Sequence, residues 1–279
     1  MLAALGVALT LVWNSGWAIL VLIVHSIVWS FANAMGHEAC HGTPFRSYRL
    51  NVVLLYVTSW MVSWEPITVR WVHARHHSYT SMTTDDAEYL LPNPIRRWDL
   101  FELLTGWNTN WQYNKELVQL SCGYVNHYIQ LSVPESELRK VFRNARIFLT
   151  SFVVIVGISI YLQSWLPVVL LLLPRWIGEP MHGVLRATQH GALAINVRDH
   201  RKTTRTMYVN PLLQFFYCNM NFHIEHHMFP MVPFHSLERL HHEVKAQMPR
   251  PSAGVTGAMS EVFETIRRQG QNPEYVLSK

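Results

Sequence analysis

Two stretches of the chain, Met1 to Gly36 and Ile147 to Pro174, contain no Asp, Glu, Lys or Arg. Each exceeds the ~18–20 apolar residues that mark a membrane-spanning candidate, so the chain reads as an integral membrane protein. Turn-like sequences interrupt both, NSG at 14–16 and QSW at 163–165, which predicts two helical hairpins and about four membrane helices. The pattern places helix starts near Trp17 and Leu166. His37 then lies about 30 Å along one axis and His190 about 36 Å along the other, so both emerge at a similar depth. The first stretch has no basic leader and no small-residue cleavage pattern, and is expected to stay on the mature protein. A helix over 1–13 spans only about 20 Å against a ~30 Å hydrocarbon core. It is expected either to tilt in a thinned bilayer or to be preceded by further native residues.

The fold class that follows is an all-α integral membrane protein with two hairpins and two cytoplasmic segments. Residues 1–279 read as one domain: a first membrane hairpin over 1–41, a cytoplasmic segment over 42–146, a second hairpin over 147–190 and a second cytoplasmic segment over 191–279. Charge sets the orientation. Lys and Arg fall between Arg46 and Arg146 and from Arg175 onward, outside the far-side turns, which puts those parts in the cytoplasm of an inner membrane. The formal net charge of +5 therefore belongs to that face and suits anionic lipid headgroups or an acidic protein. Cys40, Cys122 and Cys218 are widely spaced, and no disulfide is expected. Nothing in the pattern calls for nucleic acid.

Sixteen histidines are present, and their spacing carries the chemistry. HEACH (His37, His41), HARHH (His73, His76, His77) and HIEHH (His223, His226, His227) place imidazoles at i, i+3 and i+4, on one face of a helix in each case. These eight, with one more, supply enough nitrogen donors for two metal ions. Imidazole suits Zn, Cu, Fe and Ni. A zinc site uses about three or four protein ligands, which leaves half of the set unexplained, whereas two irons that activate O₂ would employ all of it. Three other readings stay open: solvated helix faces, a membrane zinc hydrolase, and a non-catalytic metal- or haem-binding membrane protein.

The order HxxxH, HxxHH, HxxHH, the apolar hairpin between the second and third clusters, and the wording NFHIEHHMFP resemble the membrane fatty acid desaturase and hydroxylase superfamily, from about Trp17 to Pro249. That resemblance implies a di-iron centre, O₂ as co-substrate and a cap of helices on a four-helix stem. Carried over box by box, it makes His37, His41, His73, His76, His77, His223, His226 and His227 iron ligands, with His190 as the extra ligand and His182 as its rival. Members of the stearoyl desaturase type carry an Asn one turn before that extra histidine, where this chain has Arg186. The expected activity is desaturation or hydroxylation of an unactivated C–H in a fatty acyl or similar lipid. Alternatives are oxidation of a small polar molecule, since NMNFHIEHHMFPMVPFHSLERLH also resembles the bacterial rhizopine-oxygenase-like group, and a carotenoid ketolase.

Several polar residues flank the boxes. Arg175, Glu179, His182, Arg186 and His190 form one stripe on a helix, expected to face inward with Arg175 and Glu179 paired at i, i+4. The stripe is either a charged wall of the substrate channel or an internal salt bridge. Glu38, Asp85, Asp86 and Glu225 are expected to accept the outer ring N–H of ligand histidines, although TTDDAEY equally suits an exposed turn. ERLHH at 238–242 imitates a box but reads as a surface helix, and His25 as a packing residue. NVVLLYVTSWMVSW before the second box suits an interfacial segment or a tunnel wall. No GxGxxG, CxxC or haem-attachment motif appears, so no flavin, haem or Fe–S site is expected in the chain. Electrons are then expected from an external ferredoxin, rubredoxin or reductase on the basic face. The tail after Pro251 is expected to cover the iron site or that docking surface.

Overall fold

The computed structural model describes residues 1–86, 88 and 94–277, apart from the side chain of Leu103. Among the described residues the ordered elements are helical, with two isolated β-bridges, Thr206 to Phe222 and Met207 to Ser252. The first apolar stretch forms α1 (Leu2–Leu11), then α2 (Trp17–Ser30) and α3 (Ala32–His41), the last two end to end. Next come α4 (Tyr48–Met61) and α5 (Pro66–Tyr79), set at 99° to one another. The N-caps explain that corner: Ser47 accepts from the Leu50 amide and Glu65 from the Thr68 amide at 2.6 Å, and Pro66 starts α5 at a position that needs no N–H.

Short helices α6 (Arg97–Thr105), α7 (Trp107–Ser121) and α8 (His127–Ser132) lead into α9 (Glu135–Tyr161). The second apolar stretch continues as α10 (Leu166–Leu171) and α11 (Pro174–His190). The chain then runs through α12 (His200–Thr203), α13 (Pro211–Phe216), α14 (His223–Met228), α15 (Leu237–Val244) and α16 (Gly254–Gln269).

Three helical segments are long and apolar enough to cross a membrane: Trp17–His41, Glu135–Tyr161 and Leu166–His190. The bent α4–α5 pair would make a fourth if it counts as one span. At ten residues α1 is shorter than a span; it packs against α2 and α10. The apolar pattern located the start of α2 at Trp17 and of α10 at Leu166, but α9 begins at Glu135, twelve residues before the charge-free stretch. Composition marks the length that suits lipid, whereas a helix continues as long as its backbone bonds close. Leu11, Trp17, Ile19, Val153, Ile160, Tyr161 and Trp165 are exposed, an apolar surface that water would not tolerate at this extent but lipid accepts. Trp17, Tyr161 and Trp165 stand at the helix ends, where aromatic rings favour headgroup depth.

Packing is closest between α2 and α11. A Cβ on Gly178 would lie 2.0 Å from the Ser26 carbonyl oxygen, so small residues let the two backbones touch, as in other membrane helix pairs. Pro180 is accommodated within α11, and the break falls before Pro174. Leu117, Leu120, Ile129, Val141, Ala145 and Phe148 form a core joining α7, α8 and α9. A second core, with Ala34, Leu185, Tyr217, Met220 and Ala258, ties α3, α11 and α16 to the segment before α14. Between these cores α3, α5, α11 and α14 meet.

Candidate metal centre

α3 delivers His37 and His41, α5 delivers His73, His76 and His77, α11 ends on His190, and the six-residue α14 delivers His223, His226 and His227. The short α14 is aimed by a tight reversal in which Cys218 and Asn219 both take φ of 53°, a left-handed conformation uncommon outside glycine. Pairing of Met207 with Asn221 (2.9 Å) holds the strand-like approach. The nine rings then form two groups. His37, His41, His73, His77 and His226 bring donor atoms within 4.8 Å of one another, as do His76, His190 and His227. His223 joins the second group, its Nε2 2.9 Å from that of His190 and 3.1 Å from that of His227. The groups abut, with the His77 and His227 ring centroids 4.3 Å apart.

Outer hydrogen bonds assign the tautomers. Nδ1–H of His73 donates to Glu88 (3.1 Å), of His76 to Asp86 (2.9 Å) and of His190 to the Thr203 carbonyl (3.0 Å). Thr80 donates its own hydroxyl hydrogen to the His76 carbonyl (2.7 Å), so toward His227 Nδ1 (3.1 Å) it is the acceptor. His223 Nδ1 faces the Met220 sulfur at 3.3 Å. In each of these rings Nε2 is left with a bare lone pair. Yet the Nε2 atoms lie together: His73 is 3.0 Å from His41 and 3.1 Å from His77, and His223 sits between His190 and His227. The lone pairs of His190, His223 and His227, so placed, repel one another unless a cation stands between them, and the donor set therefore fits metal ions. Burial first, then the neighbouring imidazoles, lower the pKa of His223, His226 and His227 well below the ordinary histidine value. They are neutral at pH 7, the form that ligates metal.

A model of the fatty acid desaturase family matches residues 11–257, nearly the whole chain. The chain belongs to the fatty acid desaturase family. A search of curated proteins found no match. Desaturase family membership makes the chain an oxidoreductase of a family that binds iron and acts on lipids, and with its three apolar spans a membrane protein.

The remaining sequence-singled residues separate cleanly in this desaturase-family chain. His182 lies on the wall of a neighbouring cavity and belongs to neither histidine group. Glu38 is wholly buried and stands 3.7 Å from His37 Nδ1 and 3.6 Å from His226 Nδ1, between one ring from each of two boxes. Asp86 and Asp85 divide the two readings of TTDDAEY: Asp86 holds His76, whereas Asp85 pairs with Arg75 (2.9 Å) in a partly exposed turn. Burial raises the Asp86 carboxyl, but His76 and the amides of Ser81 and Glu88 outweigh it and hold its pKa below the ordinary value.

Two expectations need correction. Glu225 does not back a box histidine; it bonds His241 Nδ1 and the Thr206 hydroxyl, both at 2.6 Å. ERLHH is the surface helix expected, with Glu238, Arg239, His242 and Glu243 exposed, and its inner face carries His241, which is buried and also meets the Tyr208 hydroxyl at 2.9 Å. Arg175 does not pair with Glu179, which instead accepts from Arg186 at 3.0 Å. His25 is the packing residue it was read as, with its Nε2 donating to the Leu170 carbonyl (3.1 Å).

Sequence reasoning missed Glu88, the Thr203 carbonyl and Thr80, because a partner for an outer ring nitrogen has no fixed spacing from its histidine. It also missed His200, whose ring centroid is 5.4 Å from that of His227. Arg205 was missed too: fully buried, it donates to the Thr188 carbonyl (2.7 Å) and the Gly191 carbonyl (3.0 Å) at the end of α11 and pairs with Glu261 of α16 (2.8 Å). The C-terminal helix thus fastens the helix that carries His190.

Replacing Asp86 by Asn should keep the shape but remove the acceptor strength that orients His76. Metal affinity is expected to fall about 10–100-fold, read by competition with a chelator of known affinity; an unchanged affinity would remove Asp86 from the centre.

Proposed function

We propose that the protein is a membrane di-iron, O₂-dependent oxidoreductase that desaturates or hydroxylates an unactivated C–H of a fatty acyl or similar lipid substrate. One observation carries the reading: nine imidazoles from four separate helices converge in two abutting groups, with outer acceptors turning bare Nε2 lone pairs inward. His37, His41, His73, His77 and His226 would hold one iron, and His76, His190, His223 and His227 the other. Two irons at this place would supply the O₂-derived oxidant strong enough to take hydrogen from an unactivated carbon. The set exceeds what one zinc ion employs, which speaks against hydrolysis.

The protein supplies placement and insulation. α11 contributes His190 at its end and lines the adjoining cavity with His182 and Arg186 on the same face, so one rigid element relates substrate to metal. Trp64, Val69 and Val72, from the corner and first turns of α5, are among its apolar wall residues. Whether the product is an alkene or an alcohol depends on whether the attacked site loses a second hydrogen or takes up oxygen. Electrons come from an external ferredoxin, rubredoxin or reductase at the basic face, on the cytoplasmic side with the boxes.

Protein purified from iron-replete cells is expected to contain two irons per chain by elemental analysis, with the Mössbauer signature of a coupled pair. Oxygen consumption should depend on both an acyl substrate and a reduced donor protein. One zinc per chain, a haem spectrum, or no turnover with any donor despite a loaded centre would overturn the reading.

A further inference from the structure

The cavity beside the histidines has a volume of about 320 Å³, toward the lower end of the ~300–1,000 Å³ typical of small-molecule sites. An acyl tunnel calls for apolar walls, but one face here is hydrogen-bonding: Asn108, Thr109, Gln112, Tyr113, Arg186 and Gln189. Arg186 is the cation on that face. Its Nη2 donates to Glu179 (3.0 Å) and Thr109 (3.3 Å), while its buried Nε has no partner among the described residues. Behind Tyr113 lies a second guanidinium, Arg175, 5.2 Å from the ring centroid and only 4% exposed. None of its three nitrogens has an acceptor among the described residues. Asn110, on the same helix as Tyr113 and entirely buried, likewise has both amide atoms unpartnered among the described residues.

The buried Arg175 and the largely buried Arg186 on α11 therefore have one ion-paired carboxylate between them, Glu179 on Arg186, inside a segment apolar enough to span lipid. Such an imbalance is costly and persists where function uses it. The three carboxylates on the cavity wall are engaged elsewhere: Asp86 accepts from His76 (2.9 Å), Glu88 from His73 (3.1 Å) and Glu116 from Asn126 (2.8 Å). Burial pushes Glu116 up to about 7, which reduces the negative charge on the cavity wall.

We propose that the cavity takes an anionic substrate whose carboxylate seats on Arg186, with Arg175 behind Tyr113 adding to the field. This rests on the di-iron reading of the adjoining centre only for what happens to the substrate, not for its binding. Arg186 precedes His190 by one helical turn, about 6 Å along the axis. A carboxylate anchored there brings the first few carbons next to the histidines, so oxidation falls near the acid end and not in mid-chain. The carboxylate belongs either to a free fatty acid, with its tail running past the apolar wall, or to a compact soluble acid.

Calorimetry on the iron-loaded protein in detergent tests the seat with two pairs of probes. Decanoate against decanamide represents the lipid source, and butyrate against butyramide the soluble one. In at least one pair the acid should bind about 30-fold or more tightly than the amide, as expected for a buried charged hydrogen-bonded contact. The preferred pair names the source. Arg186→Gln should abolish the preference with iron content unchanged, and Arg186→Lys should restore part of it. Equal binding of acid and amide in both pairs, no binding by either acid, or a preference that survives in Arg186→Gln overturns the proposal. The wild-type comparison decides even if the variants fold poorly. Iron content measured on the same preparation separates the two ideas: a chain that prefers acids but holds no iron keeps the anion seat and loses the di-iron reading.

Discussion

Replacing His76 by alanine is expected to lower bound iron from two ions per chain to about one and to take turnover below detection. His76 belongs to the smaller group, with His190 and His227 and with His223 alongside. Loss of a ligand removes the metal bond itself, which costs more than the ~10–100-fold that follows loss of an outer partner. It also leaves Asp86 buried without the imidazole it holds, and an unpaired buried carboxylate is expensive. His226→Ala provides the contrast, because its group keeps His37, His41, His73 and His77. That variant should retain more iron. Elemental analysis gives the stoichiometry and Mössbauer spectroscopy shows whether the remaining ion is isolated. Equal iron content in both variants and wild type would contradict the assignment of these rings as ligands.

Gly178→Ala is expected to destabilise the protein by about 3 kcal/mol or more, at the upper end of what overpacking costs. The added methyl would stand 2.0 Å from the Ser26 carbonyl oxygen and 2.7 Å from its carbon. These are backbone atoms, so no side-chain rotation relieves the clash, and α2 and α11 must separate. Because α2 leads directly into α3 with His37 and His41, and α11 ends on His190, the same displacement opens the histidine cluster. The control is Gly157→Ala in α9, where nothing lies within 4 Å and helix propensity favours alanine by about 1 kcal/mol. Thermal denaturation in detergent should lower the midpoint for the first and hold or raise it for the second. A wild-type midpoint for Gly178→Ala would mean that the α2–α11 crossing is looser than described.

Local spacing made much of the centre legible before any coordinates. An i, i+3, i+4 repeat fixes which side chains share a face, and the helical rise fixes how far His37 and His190 stand along their axes, so His190 and not His182 joins the other rings. The partners of charged groups were far less legible. Glu179 was expected to meet Arg175 one turn away; α7, packing through Gly106 and Thr109, leaves Glu179 bonded to Arg186 seven residues on. Glu225 sits between His223 and His226 in sequence, yet on a six-residue helix it points the other way, toward His241 and Thr206.

What the chain alone determined is everything set by neighbours within about two helical turns: which segments are apolar enough for lipid, where α2 and α10 begin, and which histidines are aimed together. The fold decided what depends on contacts between distant residues. It chose Glu88, Asp86 and the Thr203 carbonyl to turn the ring nitrogens inward, and it paired Glu179 with Arg186 and left Arg175 behind Tyr113, beside a cavity with one hydrogen-bonding face. The reason is physical. Periodicity is a property of one helix, but a lone pair or a charge is satisfied by whichever group packing brings within about 3 Å, and no spacing rule links those groups along the sequence.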